Sequence, residues 1–117
     1  MFERCNLGQL PLEQVNAHGG RGDILFHRVA GREHLSGSLN FIDVAVLPPG
    51  VGIGRHTHAA DEEEFYLVLE GHGWMERNGQ SFEVGPGDFI RTPPGGSHAL
   101  TNTGSGPLRI FVFEVRV

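Results

Sequence analysis

From Asp23 onward the apolar residues fall into short runs rich in Val, Ile and Phe, each closed by Gly, Pro or Asn. Runs of that length and composition predict strands, at residues 24–29, 39–47, 65–69, 73–77, 80–84, 89–92, 98–102 and 108–117. Asn78-Gly79 separates two of them and is the dipeptide of a type I′ hairpin turn, in which both central residues need positive φ. In the last run, Phe111, Phe113, Val115 and Val117 form one wholly apolar face, whereas Glu114 and Arg116 share the other with Ile110 and Val112. The first of these faces is expected to line the interior. Pro86-Gly87-Asp88 and Pro93-Pro94-Gly95-Gly96 are turn chemistry bracketing a short strand. Gly19-Gly20-Arg21-Gly22 reads as a polar turn and not as a boundary. The pattern is that of an all-β protein.

Composition narrows this further. A chain of 117 residues can close one core but is too short for two, so a single domain over residues 1–117 is expected. Eighteen glycines and seven prolines fit many tight turns and argue against long helices. Fourteen acidic against nine basic residues give a formal charge of -5, which repels a phosphate backbone, so nucleic acid is not an expected partner. Cys5 is the only cysteine and can form no intrachain disulfide, and a partly buried structural thiol is the reading given to it. With no charged and apolar leader and no long apolar stretch, a soluble cytoplasmic protein without a membrane partner is expected.

Seven histidines are many for this length. His56-Thr57-His58 places two imidazoles two residues apart, and on an extended segment alternate side chains share a side, so both rings could reach one ion. The acidic run Asp61-Glu62-Glu63-Glu64 leads straight into the apolar strand that begins at Phe65. Most of such a run faces water. A carboxylate turned inward needs a cation, and two neutral imidazoles nearby are natural co-ligands for it. His18, His27, His34 and His72 have no such companions and are assigned no site role.

The stretch from Gly87 to Asn102 resembles the cupins. Their second motif is Gly, five residues, Pro, one residue, Gly, two residues, His, three residues, Asn, and Gly87, Pro93, Gly95, His98 and Asn102 fit every position. Gly50, His56, His58 and Gly71 resemble the first motif. Counted back from Gly71 the motif glutamate is Glu64, which leaves one residue more after His58 than the pattern has; Glu63 or Glu62 would satisfy the forward count. Glu64 is preferred, because a turn absorbs an extra residue more easily than a paired strand does. The resemblance covers residues 50–102.

It implies a double-stranded β-helix, or jelly-roll barrel, over residues 39–117 with residues 1–38 packing on it. It further implies one divalent metal ion held by His56, His58, Glu64 and His98, while Asn102 and the motif glycines hold loops. Such a donor set suits iron, manganese, zinc, nickel or cobalt. The implied function is an enzyme acting on a small oxygenated metabolite, as a dioxygenase or as a Lewis-acid isomerase, lyase or cyclase; the alternative is a non-catalytic module that binds a sugar or other metabolite. Phe111, Phe113, Leu100, Tyr66 and Trp74 are candidate pocket walls and Arg91 a candidate anion anchor, with an ordinary core or surface role weighed more heavily for Trp74 and Arg91. A homodimer pairing through edge strands near the N-terminus is expected.

Overall fold

The computed structural model describes residues 2–117; Met1 of the expected domain lies outside the described residues. Ten strands follow one another: β1 Glu13–Val15, β2 Ile24–Gly31, β3 Leu39–Leu47, β4 Gly52–Thr57, β5 Glu62–Glu70, β6 Gly73–Arg77, β7 Gln80–Val84, β8 Phe89–Thr92, β9 Ser97–Asn102 and β10 Leu108–Arg116. They form two antiparallel sheets, one in the order β1-β2-β3-β10-β5-β8 and the other β4-β9-β6-β7. Non-consecutive neighbours such as β3, β10 and β5 mark the jelly roll predicted from sequence. The single helical element described is a 3-10 turn at Arg32–His34.

Every predicted run is a strand, with ends shifted by three residues at most. Asn78 and Gly79 both have positive φ, 49° and 81°, as the hairpin between β6 and β7 requires. Two strands were not predicted. β1 is three residues long, and β4 carries Gly52, Gly54 and Arg55, a composition that patterning reads as loop.

The inward face of β10 is the opposite of the one expected. Leu108, Ile110, Val112 and Glu114 are buried between the sheets, whereas Phe111 and Phe113 point outward and are half-buried. The Phe row looked more interior than a row broken by a glutamate. Outside, however, Phe113 stacks on Phe65 at 4.8 Å, and Phe65 on Phe89 at 5.6 Å. Inside, Glu114 finds partners for both carboxylate oxygens, so its burial is compensated.

Met75, Leu100, Leu47, Leu108, Ile110 and Val68 fill one end of the space between the sheets, each at most 2% exposed. Met75 and Leu100 are direct cross-strand partners of β6 and β9. Burying side chains of this size contributes about 1.5–3 kcal/mol each. The other end is left to polar residues. At the apolar end, beside Leu47, Asn102 ties the end of β9 to two loops, its Nδ2 donating to the Leu47 and Gly106 carbonyls at 2.8 Å while its Oδ1 accepts from Gly104 N–H. Gly71, at φ 87°, passes so close to Pro107 that a Cβ would overlap the Pro107 carbonyl.

Candidate metal centre

Each sheet contributes donors to one point. On the smaller sheet His56 of β4 and His98 of β9 are direct cross-strand partners, and His58 follows β4 with its N–H bonded to the Gly96 carbonyl at 2.9 Å. On the larger sheet Glu64 of β5 stands opposite Glu114 of β10. His56, His58, Glu64 and His98 converge, with one donor atom from each lying within 4.8 Å of all the others. Of the three glutamates open in the sequence, Glu64 is the one brought to all three imidazoles. Glu63 turns outward to pair with Arg91, and Glu62 caps the turn by accepting from Ala59 N–H at 2.9 Å. Glu62 does approach the other side of His58, at 3.7 Å from Nδ1, making a smaller group with Glu114.

The imidazoles are held from behind. His56 Nδ1 donates to the Gly54 carbonyl at 2.8 Å, His98 Nδ1 is 2.9 Å from the buried Thr92 hydroxyl, and His58 Nδ1 is 3.0 Å from Glu114 Oε1. With Nδ1 engaged, each ring turns Nε2 to the centre. There His98 Nε2 lies 2.9 Å from His58 Nε2 and 3.0 Å from His56 Nε2, while Glu64 Oε1 lies 3.0 Å from His98 Nε2 and 3.2 Å from His58 Nε2. Glu64 Oε1 is fully buried without a satisfied hydrogen bond. Lone pairs facing one another at such range repel unless a cation lies between them. Donors ~2.1 Å from a shared ion and at right angles about it stand ~3.0 Å apart, which matches the observed spacing. The residues present therefore fit a divalent ion.

Without an ion a proton takes part of that place. The carboxylates of Glu114, then of Glu64, raise His58 to about 10. Burial pushes the Glu64 carboxyl up, but the His58 and His98 imidazoles beside it outweigh burial and hold it at about 2. Burial lowers His56 to about 4, so this ring stays neutral. Tyr66, buried under His98 with ring centroids 5.0 Å apart, is raised well above the ordinary phenol range by burial and the neighbouring carboxylates.

The centre opens onto a cavity of about 590 Å3. Of the expected walls, Tyr66 lines it; Leu100 belongs to the packed core, Trp74 is 45% exposed on the outside, and Phe111 and Phe113 lie on the outer face. Arg91 is also outside, paired with Glu63, and the guanidinium in the cavity is that of Arg28. Sequence reasoning missed Arg28, Asp43, Glu114 and His18. His18 stacks on His56 with centroids 3.6 Å apart and planes 8° from parallel. The available signal was Asp43 and Glu114 inside otherwise apolar strands, since an ionisable residue there needs a partner.

A small jelly-roll barrel with three imidazoles and a carboxylate gathered at one end of its interior defines a class of β-barrel proteins whose donors can hold a metal. The chain belongs to the cupin family: residues 43–114 match the Cupin domain. It is 31% identical over 93 residues to the oxalate-binding protein of Thermotoga maritima, covering 80% of this chain and 76% of that one. The crystal structure of a predicted oxalate decarboxylase from Thermotoga maritima superposes with a TM-score of 0.89 at 27% identity, over 96% of this chain and 97% of the other. A quercetin 2,3-dioxygenase of Bacillus subtilis is 34% identical over 96 residues, which are 79% of this chain but only 28% of that enzyme. No described helix is long and apolar enough to cross a membrane.

Proposed function

We propose that this cupin is a metal-dependent enzyme acting on a small oxygenated metabolite at a mononuclear site made by His56, His58, Glu64 and His98. The observation that carries the reading is the approach of three Nε2 atoms and the orphaned Glu64 Oε1 to within 2.9–3.2 Å of their neighbours, at the base of an open cavity. A divalent ion bound there would polarise an oxygen of the metabolite or hold dioxygen beside it, as a Lewis-acid isomerase, lyase or cyclase needs in the first case and a dioxygenase in the second. The chain's own residues do the rest. Gly54, Glu114 and Thr92 fix which nitrogen of each ring faces inward, and Tyr66 packs against His98.

The test is elemental analysis of tag-free protein, followed by oxygen uptake and a ligand-shift screen on the loaded form. Stoichiometric iron with oxygen consumption supports the dioxygenase; metal with turnover but no oxygen demand supports the Lewis acid. Purified His98→Ala is expected to fold and to lose its metal, and unaltered metal content in that variant would remove His98 from the site. A second reading, a non-catalytic binding module, is favoured by the relative named an oxalate-binding protein; tightly held, inert metal supports it. The same proposal includes a cytoplasmic homodimer. Its support is the free edge strand β1 and the outward aromatic group around Phe89, which is 58% exposed. A monomer in gel filtration at high concentration removes the dimer.

A further inference from the structure

At about 590 Å3 the cavity falls within the ~300–1,000 Å3 range of sites that enclose drug-sized ligands, far more room than a two-carbon dicarboxylate fills. One wall comes from residues that precede the stretch matched to the family, with Val15, Ala17, His18, Ile24, Phe26 and Arg28 all facing the space. This wall is docked backbone on backbone. The Ala17 carbonyl accepts from Gly20 N–H at 3.0 Å and from Gly54 N–H at 2.9 Å. A Cβ on Gly20 would overlap the Gly52 carbonyl, and one on Gly54 the His18 carbonyl. His18 is held at φ 54°, an unfavourable backbone for a residue with a Cβ, and its ring lies flat on His56. These contacts tie the wall to β4 and leave no room for it to move closer to that strand.

The charge of the lining adds a second constraint. Asp43, Glu62, Glu64 and Glu114 face the cavity with Arg28 as the one guanidinium among them. Arg28 is already committed: its Nε and Nη2 donate to the two Asp43 oxygens at 2.9 and 3.1 Å, and its guanidinium lies over Phe41 at 4.6 Å and Phe26 at 5.7 Å. Even with a divalent ion in place, no positive charge is left over. A small dianion would meet carboxylates and leave apolar walls in contact with water.

We propose that the cavity takes a neutral or singly charged ligand with a ring-sized apolar body and a chelating pair of oxygens at one edge, and that Phe26, Phe41 and the strap carrying His18 select it over small dicarboxylates such as oxalate. This rests on the reading of the centre as a metal site that receives a small molecule.

The test titrates protein loaded with cobalt(II) by calorimetry against two probes, oxalate and lawsone, a bicyclic hydroxyquinone that is singly charged at neutral pH and offers two adjacent oxygens. Lawsone is expected to bind about tenfold or more tighter than oxalate, a difference of ~1.4 kcal/mol or more. Phe26→Ala and Phe41→Ala should each weaken lawsone roughly fivefold or more while oxalate changes less than about twofold, and Phe41→Leu, which keeps the bulk, should retain most of the affinity. Circular dichroism checks that the variants fold. Oxalate binding as tightly as lawsone, equal weakening of both probes, or cobalt stripped by lawsone without a ternary complex overturns the selectivity and leaves the metal site standing. A loaded protein that binds neither probe overturns the ligand proposal and leaves the metal site standing, whereas failure of the protein to take up cobalt(II) overturns both.

Discussion

Glu114 shows how one side chain can govern a metal donor that it does not replace. Its Oε1 fixes the Nδ1 side of His58, and its Oε2 accepts from Asn40 Nδ2 at 2.9 Å, while Asn40 Oδ1 accepts from Arg116 at 3.2 Å. Glu114→Gln keeps the shape but removes the charge, and it is expected to weaken metal binding by about 10–100-fold with an unchanged fold, as outer partners of metal-bound histidines typically do; competition with a chelator measures this. Protonation gives a second expectation. His58 is raised from 6.5 to about 10, so in the ion-free protein it is charged at neutral pH and must shed that proton to ligate. Metal uptake at about pH 7.5 should release roughly one proton, and affinity should climb about tenfold per pH unit up to the His58 range. Calorimetry in two buffers of different ionisation enthalpy reads the proton directly. The sign for ion-free stability follows from the same shifts. The raised His58 contributes fully below 6.5 and loses its contribution as pH rises through about 10; the lowered Glu64 contributes fully above 4.5 and loses its contribution as pH falls through about 2. His56, depressed to about 4, works the other way from His58: its contribution is present above 6.5 and disappears as pH falls through 4.

At the level of elements, β4 and the loop before β2 act as a unit. Gly54→Ala puts a methyl group against the His18 carbonyl, and it is expected to cost about 1–3 kcal/mol and to speed proteolysis within residues 16–22, while far-UV circular dichroism of the barrel is retained. Cleavage no faster than in wild type would show that the strap is not held by this contact. The same pair of elements marks where sequence reading stops. Strands β3, β6, β7 and β8 were legible to the residue, because each is an apolar run between turn residues, and Asn78-Gly79 announces its own hairpin. The convergence of His56, His58, Glu64 and His98 was legible through motif spacing. β4 was not, because glycines and an arginine carry no strand signal when the reason for them is the backbone of His18 and Gly20, distant in sequence and visible in neither pattern nor period. The facing of β10 was misread for a related reason: only the partners of Glu114, on β3 and after β4, make that glutamate an interior residue.

Across the whole molecule, the interior is divided between an apolar end that holds the sheets together and a polar end that holds donors. Leu100→Ala, at the apolar end, is expected to destabilise the fold by about 2–5 kcal/mol in denaturant unfolding, whereas Phe89→Ser on the outer face should cost only the about 0.5–1.5 kcal/mol of its stacking on Phe65 and, if that face pairs two copies, shift gel filtration toward the monomer. Metal should stabilise the polar end by mass action, about 2.7 kcal/mol at a free concentration 100 times its Kd. The outward position of Trp74 bears on how any of this is observed. It is the sole indole of the chain and is already half in water, on the far side of β6 from the donors. Its emission maximum should therefore sit to the red in the native state and move little on denaturation, so fluorescence wavelength will be a poor gauge of unfolding here and dichroism a good one.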